Sequence, residues 1–374
     1  MFRLTLLFCL ITSILFAQQS DEIVGKVKSV SENILFLNDS IGSYKFFSID
    51  SEYGHGGFIS PKIASKRFKG MWYNHCYVQY LNFKKIFNKT GTLKEEAWFY
   101  KDNSIVGKFE YTYDKNDSLI QSRRTDEYSK HVVVENMTYS NYNKLTTYLR
   151  YYPDDPNSFS FISNTFDDNG NIIKEDFFNP EGHSRSLIHK YNAKNKKIET
   201  KSHSFYIWAK RDEKSFYQKH DSIGETTSIK KYFYDLEDNL IEIQSATVPN
   251  THETYVTTDK TNYKYNSKNK LIEETHVSDR KSTSSKSYEY NTDDLLSKTT
   301  YKYHPDPDNR YYEETEYFYK DNKIIRFTHI ENKVSHEMSI DYKFDKKGNW
   351  IQQTKSVDGK PLYIWKRKIE YYKE

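Results

Sequence analysis

Short runs along this chain alternate aromatic or aliphatic residues with polar ones. Phe109, Tyr111 and Tyr113 form one such run; Tyr263 and Tyr265, and Ile340, Tyr342 and Phe344, form others. A two-residue period is the mark of a half-buried strand, because successive side chains leave opposite faces. Helical spacing is absent. The runs are interrupted by clusters of Asp, Asn, Gly and Ser, which predict tight turns. The stretch FDDNGNIIKEDFF at 166–178 contains the whole unit: an aromatic residue, four turn residues, and a new apolar run.

That unit recurs. With an aromatic residue as anchor, copies begin at Phe87, Tyr113, Tyr139, Phe166, Tyr191, Tyr217, Tyr234, Tyr265, Tyr290, Phe318 and Phe344. Four residues after each anchor stand Gly91, Asp117, Asn143, Gly170, Asn195, Asp221, Asp238, Asn269, Asp294, Asn322 and Gly348. These three residue types best tolerate a left-handed backbone. The residue after the anchor is usually Asp, Asn or Ser, which suits the first position of a type I turn. Gln218 and Tyr319 break that column. An aliphatic residue usually returns two positions beyond the left-handed site, with Trp350 in the last copy and Lys197 as the exception. In the quoted stretch, Asp167 is expected to open the turn and Gly170 to hold the left-handed site. Phe166 and Ile172 then lie on the two legs of one hairpin.

A second turn falls near mid-repeat, at NPEG (179–182) and VDG (357–359). Each repeat is therefore two strands and two turns. The predicted fold is all-β: repeated antiparallel β-hairpins forming a long, twisted, curled meander sheet, with roughly 22 strands from the repeats plus a few from residues 21–80. Such a sheet has open edges at its two ends, where self-association or strand addition is expected.

YDKNDSL, FDDNGNI, YDLEDNL and FDKKGNW resemble the YD repeat of Rhs-type and teneurin-type proteins, in register over residues 87–374. The resemblance implies the hairpin fold and export by a bacterium. Long members of that family wind the hairpins into a shell around a toxic polypeptide. This chain departs from the pattern: most copies carry Asn or Asp for the glycine, and the chain is far shorter. Its last residues, KRKIEYYKE, lie inside the last repeat. A closed shell and its cargo are therefore not expected here.

Three segments follow. Residues 1–17 read as a signal peptide, with a basic start, the apolar run LTLLFCLITSILF and Ala17 at the cut. Residues 18–80 read as an N-terminal β capping region, and 81–374 as the YD-like hairpin repeats. The expected location is periplasmic or secreted. Only Cys76 remains after cleavage, so an internal disulfide is excluded.

Composition adds one thing. The chain has 34 Tyr and 23 Phe, and a mean hydropathy of −0.90. Tyrosine buries its ring and keeps its hydroxyl wet, which suits a thin sheet with much half-exposed surface. The 56 basic and 52 acidic residues are scattered at strand spacing, so nucleic acid is not an expected partner.

No GxSxG, HExxH, CxxC or P-loop string occurs. His55, His75 and Cys76 are the best metal or nucleophile candidates, without recognised ligand spacing. The acidic turns, Asp114–Asp117 and Asp167–Asp168, are explained by turn chemistry without calcium. PDDPNS (153–158) and HPDPDN (304–309) read as longer hairpin tips. No catalytic residue, metal or cofactor is assigned. The expected function is a non-catalytic interaction or structural module at the cell envelope, with a protein or glycan partner and no transmembrane anchor. The alternatives are a carbohydrate-binding protein using an aromatic sheet face, and an envelope hydrolase with a site in the N-terminal region.

Overall fold

A computed structural model describes residues 23–37, 82–99, 103, 105–126, 130–140, 144–210, 216–248, 256–279, 282–304, 311–331 and 333–373. The expected signal peptide, His55, His75, Cys76, Asn143 and all but the first residue of HPDPDN lie outside these residues. Among the described residues there is no helix.

The strands run in chain order. They are β1 (Val27–Phe36), β2 (Asn82–Phe87), β3 (Leu93–Phe99), β4 (Ile105–Tyr113), β5 (Leu119–Asp126), β6 (Val132–Tyr139) and β7 (Leu145–Tyr152). Then come β8 (Asp155–Phe166), β9 (Ile172–Asn179), β10 (Gly182–Tyr191), β11 (Lys197–Lys210), β12 (Phe216–Tyr234), β13 (Leu240–Thr247) and β14 (Thr258–Tyr265). The last are β15 (Leu271–Ser278), β16 (Thr283–Tyr290), β17 (Leu296–His304), β18 (Tyr311–Lys320), β19 (Lys323–Glu331), β20 (Val334–Phe344), β21 (Trp350–Val357) and β22 (Lys360–Tyr371).

Each strand pairs antiparallel with the next, and β22 pairs with β1. The sheet is therefore a closed ring of 22 strands. This corrects the expectation of open ends: the first and last strands cover one another, so no edge is left there for another chain. The one described strand from residues 18–80, β1, is the piece that closes the ring.

The repeat turn is built as its chemistry requires. In the copy after Tyr113, the Asp114 N–H donates to the Ser118 carbonyl at 2.9 Å, and the Asp117 N–H donates to the Asp114 carbonyl at 3.1 Å. The Asp114 carboxylate accepts the N–H groups of Asn116 and Ser118, both at 2.8 Å. Tyr113 and Leu119 then face each other across the hairpin, and Phe166 faces Ile172 in the same way. The side-chain acceptor recurs at Asn192, Asn266, Asn291 and Asp345.

Alternation assigns every strand residue to one of two faces. One face collects most of the buried side chains, including Val30, Trp98, Phe109, Phe327, Met338 and Trp365. In a closed sheet the occluded face is the concave one, so this is the inner face. The buried residues of its apolar cluster lie on β18–β22 and β1–β4, with Leu296 of β17 packed against them. Across β5–β17 the inner face is mostly polar, with Arg150, Glu175, Arg185, His189, Thr200, Glu274 and Lys286 among tyrosines. The outer face carries charges at strand spacing. Many are paired, as in Lys190–Glu199 at 3.0 Å, Lys264–Glu273 at 2.9 Å and Lys298–Glu314 at 3.0 Å.

Candidate functional site

The left-handed positions come together on one rim, where even-numbered strands turn into odd-numbered ones. Gly91, Asp117, Gly170, Asn195, Asp238, Asn269, Asp294, Asn322 and Gly348 have φ between 58° and 96°. Neighbouring turns also touch. Lys268 Nζ meets the Asp294 carboxylate at 2.9 Å, Lys194 Nζ meets Asp238 at 2.9 Å, and Asn171 donates to Asn195 at 2.9 Å.

Asp221 departs from the pattern. It lies inside β12, not in a hairpin turn. Tyr206 faces His220 and Ser204 faces Glu225, so β12 spends extra residues opposite Phe205. The Asp221 carboxylate accepts the Ile223 N–H at 3.1 Å, and Gly224, with φ +65°, holds the left-handed conformation instead. The copy begun at Tyr217 has become an excursion within one long strand. Asn322 is left-handed but in a shorter turn: Asp321 and Asn322 form a two-residue loop with φ of 50° and 60°, and Lys320 faces Lys323. PDDPNS is also shorter than expected. Tyr152 already faces Asp155, so only Pro153 and Asp154 turn.

Sequence reasoning missed a ring of tyrosine hydrogen bonds on this rim. The described anchor hydroxyls reach back to the main chain of the preceding repeat. Tyr113 donates to the Leu93 carbonyl at 2.7 Å, Tyr139 to Leu119 at 2.9 Å, Tyr191 to Ile172 at 2.9 Å and Tyr290 to Leu271 at 2.9 Å. Tyr234, Tyr265 and Tyr319 do the same to Lys197, Leu240 and Leu296. Where the anchor is Phe, a neighbour takes over: Tyr319 directly after Phe318, and elsewhere the residue two positions earlier. Asn164 donates to Leu145 at 2.9 Å before Phe166, and Tyr342 donates to Ile324 at 3.0 Å before Phe344. Tyr372 carries the series through the closure, donating to the Phe87 carbonyl at 2.7 Å. The sequence signal was available: the anchor is mostly Tyr, and an apolar role alone does not need the hydroxyl. Burial of the ring is the main reason the hydroxyls of Tyr113, Tyr139, Tyr191, Tyr234, Tyr265 and Tyr290 titrate above the ordinary phenol range. For Tyr319, burial pushes the value up to about 12.

The closure is pinned from several sides. Glu32 and Arg367 face each other in register and join at 2.5 Å, both nearly fully buried. The Arg367 guanidinium also lies 3.5 Å from the centre of the Trp350 ring. Nearby, Ser29 donates to Glu370 at 3.0 Å, and Asn349 exchanges hydrogen bonds with the backbone of Val24 at 2.7 and 2.9 Å.

The inner face of β9–β12 holds the arrangement most like a reactive centre. His189 Nε2 lies 2.8 Å from the Glu175 carboxylate, and Nδ1 lies 2.8 Å from the Thr200 hydroxyl. A carboxylate on one ring nitrogen and a hydroxyl on the other is the geometry of a nucleophile–base–orienter set. Two observations count for a structural role. His189 directly opposes Thr200 in register, and directly opposed Thr–His pairs recur on the same face at Thr261–His276 (3.2 Å) and Thr315–His329 (2.9 Å). The backbone N–H groups around them also serve the ladder, so none is spare to stabilise an oxyanion.

On the outer face, Phe178, His183 and Phe205 are stacked, with ring centres 4.6 and 3.8 Å apart. Asp176 and Ser186 both meet His183 Nε2, each at 3.0 Å. Burial pushes the Asp176 carboxyl up, but hydrogen bonds from Ser186 and Lys174 outweigh it and hold the group below its usual range. The stack spends on itself the ring faces that a sugar would need. Among the described residues, no group of three or more His, Cys, Asp or Glu is placed to hold a metal ion, and no helix is long and apolar enough to cross a membrane.

No protein-family model matches the chain, and no curated protein matches it. Among solved structures it is similar to TcdB2-TccC3 without its hypervariable C-terminal region, at 13% identity and a TM-score of 0.38, over 75% of this chain and 15% of that one. It is similar to a Photorhabdus luminescens Tc holotoxin pore at 12% identity and a TM-score of 0.28, over 77% of this chain and 18% of that one. A porin-like protein from Bacteroides uniformis matches at 10% identity and a TM-score of 0.26, over 71% of this chain and 95% of that one. The chain thus spans about a sixth of the toxin chains it matches.

Proposed function

We propose that this protein is a non-catalytic, exported YD-type β-repeat scaffold that acts as an interaction or structural module at the bacterial cell envelope. The observation that carries the reading is the pairing of charges across the outer face. Lys190, Glu199, Lys264, Glu273, Lys298 and Glu314 all sit on outward positions, on strands spread from β10 to β18. Each lysine of this kind facing lipid costs about 2–4 kcal/mol at mid-bilayer, and each glutamate less, so the ring is built to stand in water and not to span a membrane. A water-facing ring closed on itself and latched from repeat to repeat is a rigid frame. The recurrence of the Thr–His pairs supports a structural use of its histidines.

The test has two readouts. A photo-crosslinking residue at Lys231 or Glu316, both on the outer face, should trap a reproducible partner in native envelope fractions. The purified protein should show no turnover of ester, glycoside or peptide substrates. Turnover that His189→Gln abolishes would overturn the reading in favour of a hydrolase.

A further inference from the structure

Several outer-face lysines are answered by acids on the neighbouring strand, among them Lys108, Lys190, Lys260, Lys264 and Lys298. Beside the closure they are not. A shallow cleft of about 380 Å³ opens there, lined on the outer face by Ser31, Asn33, Lys343, Gln352, Lys366 and Lys368. The register explains the grouping. Lys343 faces Gln352, Gln352 faces Lys366, and Lys366 faces Asn33, across four adjacent strands. One step along, Lys368 faces Ser31, which in turn faces the exposed Lys84.

Every one of those six side chains can donate a hydrogen bond, and none is a carboxylate. Lys368 meets Glu370 at 3.2 Å, but both side chains are largely exposed, so that pair is weak. Lys343 and Lys366 have no carboxylate partner among the described residues. Asp341, two residues from Lys343 on the same face, lies outside the cleft lining, and two other acids nearby are committed elsewhere. The Asp345 carboxylate accepts the Lys347 and Asn349 N–H groups and the Tyr371 hydroxyl, and Glu32 is taken by Arg367. A solvated lysine face is the plain alternative. Two features separate this cleft from one: amides and a hydroxyl sit between the lysines where other rows place Glu, and the groups surround a concavity.

We propose that this cleft binds an oxyanion of the phosphate type. Three lysines would supply charge, and Asn33, Gln352 and Ser31 would supply directed N–H and O–H donors. The inference is independent of whether the ring is an interaction module or an enzyme, because it uses none of the inner-face residues. Two sources carry the same chemistry: the phosphate of a lipid headgroup, and a phosphorylated molecule in solution.

The experiment uses the full mature chain at low ionic strength, where exposed charges are least screened. Tripolyphosphate is titrated by calorimetry, and flotation is measured with vesicles containing phosphatidylglycerol and with purely zwitterionic ones. Saturable binding that falls at least tenfold in Lys343→Glu/Lys366→Glu, but not in the equally charged control Lys219→Glu/Lys320→Glu, is the expected result. Binding of tripolyphosphate alone assigns a soluble source. Selective flotation with phosphatidylglycerol assigns a headgroup. Absence of binding in both arms, or equal loss in the control, would overturn the site. All four substitutions are on exposed side chains, and an unchanged circular dichroism spectrum checks that each variant folds.

Discussion

The arc around the closure and the arc opposite it are made from the same hairpin, yet they are stabilised differently. On β18–β22 and β1–β4 the inner face is an apolar cluster in which Trp98, Phe327, Met338 and Val357 are essentially buried. On β5–β17 the same inward positions hold Thr200, Glu175, Lys286 and half-buried tyrosines. Lys286 shows what this costs: burial lowers its pKa, and Glu274 and Glu313 offset part of the effect. The repeat thus specifies backbone reversal and strand pairing. It does not specify what the inner face is made of. Local turn chemistry suffices for the hairpin, while closure needs a place where apolar packing holds the two chain ends together.

The sharpest break in that comparison is a large truncation on each arc. Phe327→Ala should cost about 3–5 kcal/mol, the range for a fully buried aromatic, since Phe327 is 0% exposed. Ile243→Ala, on the inner face of β13, should cost about 1–2 kcal/mol, because its site is half-solvated and leaves little cavity. Urea unfolding followed by tryptophan fluorescence measures both. Equal costs would mean that the polar arc is as tightly packed as the closure.

How far the sequence reveals this follows from the same division. Asp114, Asn192 and Asn266 could be read directly, because a turn residue acts on its own backbone within a few positions. Strand order followed from short connections. Ring closure could not be read. It depends on Glu32 meeting Arg367 more than 300 residues away, and on Val24 meeting Asn349. Asp221 misled because it satisfies the local pattern while Gly224, three residues on, takes the left-handed role. The tyrosine latch was half visible. The anchor column showed the ring, but the acceptor carbonyl belongs to the previous repeat.

The next largest effect is alkaline, and it acts on both arcs. The latch tyrosines have folded-state pKa values raised above the ordinary value near 10, mainly by burial; Tyr319 reaches about 12. A raised folded value means that the neutral form is preferred in the fold. The stability this brings is fully present below pH 10 and is lost as the pH rises through the folded value. For Tyr319 the loss should be no more than about 2 kcal/mol between pH 10 and 12, reduced because the ring is only partly buried. Phenolate absorbance at 295 nm should therefore lag behind that of free tyrosine and rise together with the loss of β-sheet ellipticity. Phenolate appearing near pH 10, with the sheet intact, would show that the hydroxyls are not buried donors.

The smallest effect tests whether the latch is indifferent to the arc it sits on. Tyr113→Phe lies next to the apolar cluster, where Tyr113 donates to Leu93; Tyr290→Phe lies on the polar arc, where Tyr290 donates to Leu271. Each change removes one hydroxyl and leaves one carbonyl short of a donor, at a cost of about 1 kcal/mol. Both carbonyls belong to the first residue of an odd strand at the same rim, so the two costs should agree within about 0.5 kcal/mol. In the double variant they should add, because the sites share no partner. The natural Phe166 copy is a built-in control. There Asn164 supplies the donor to Leu145, so Asn164→Leu should match the tyrosine variants, while Phe166→Leu should leave the hydrogen bond in place. A much larger cost at Tyr113 than at Tyr290 would mean that the latch draws its strength from the apolar packing beside it, and the two arcs would then differ in their hairpins as well as in their interior.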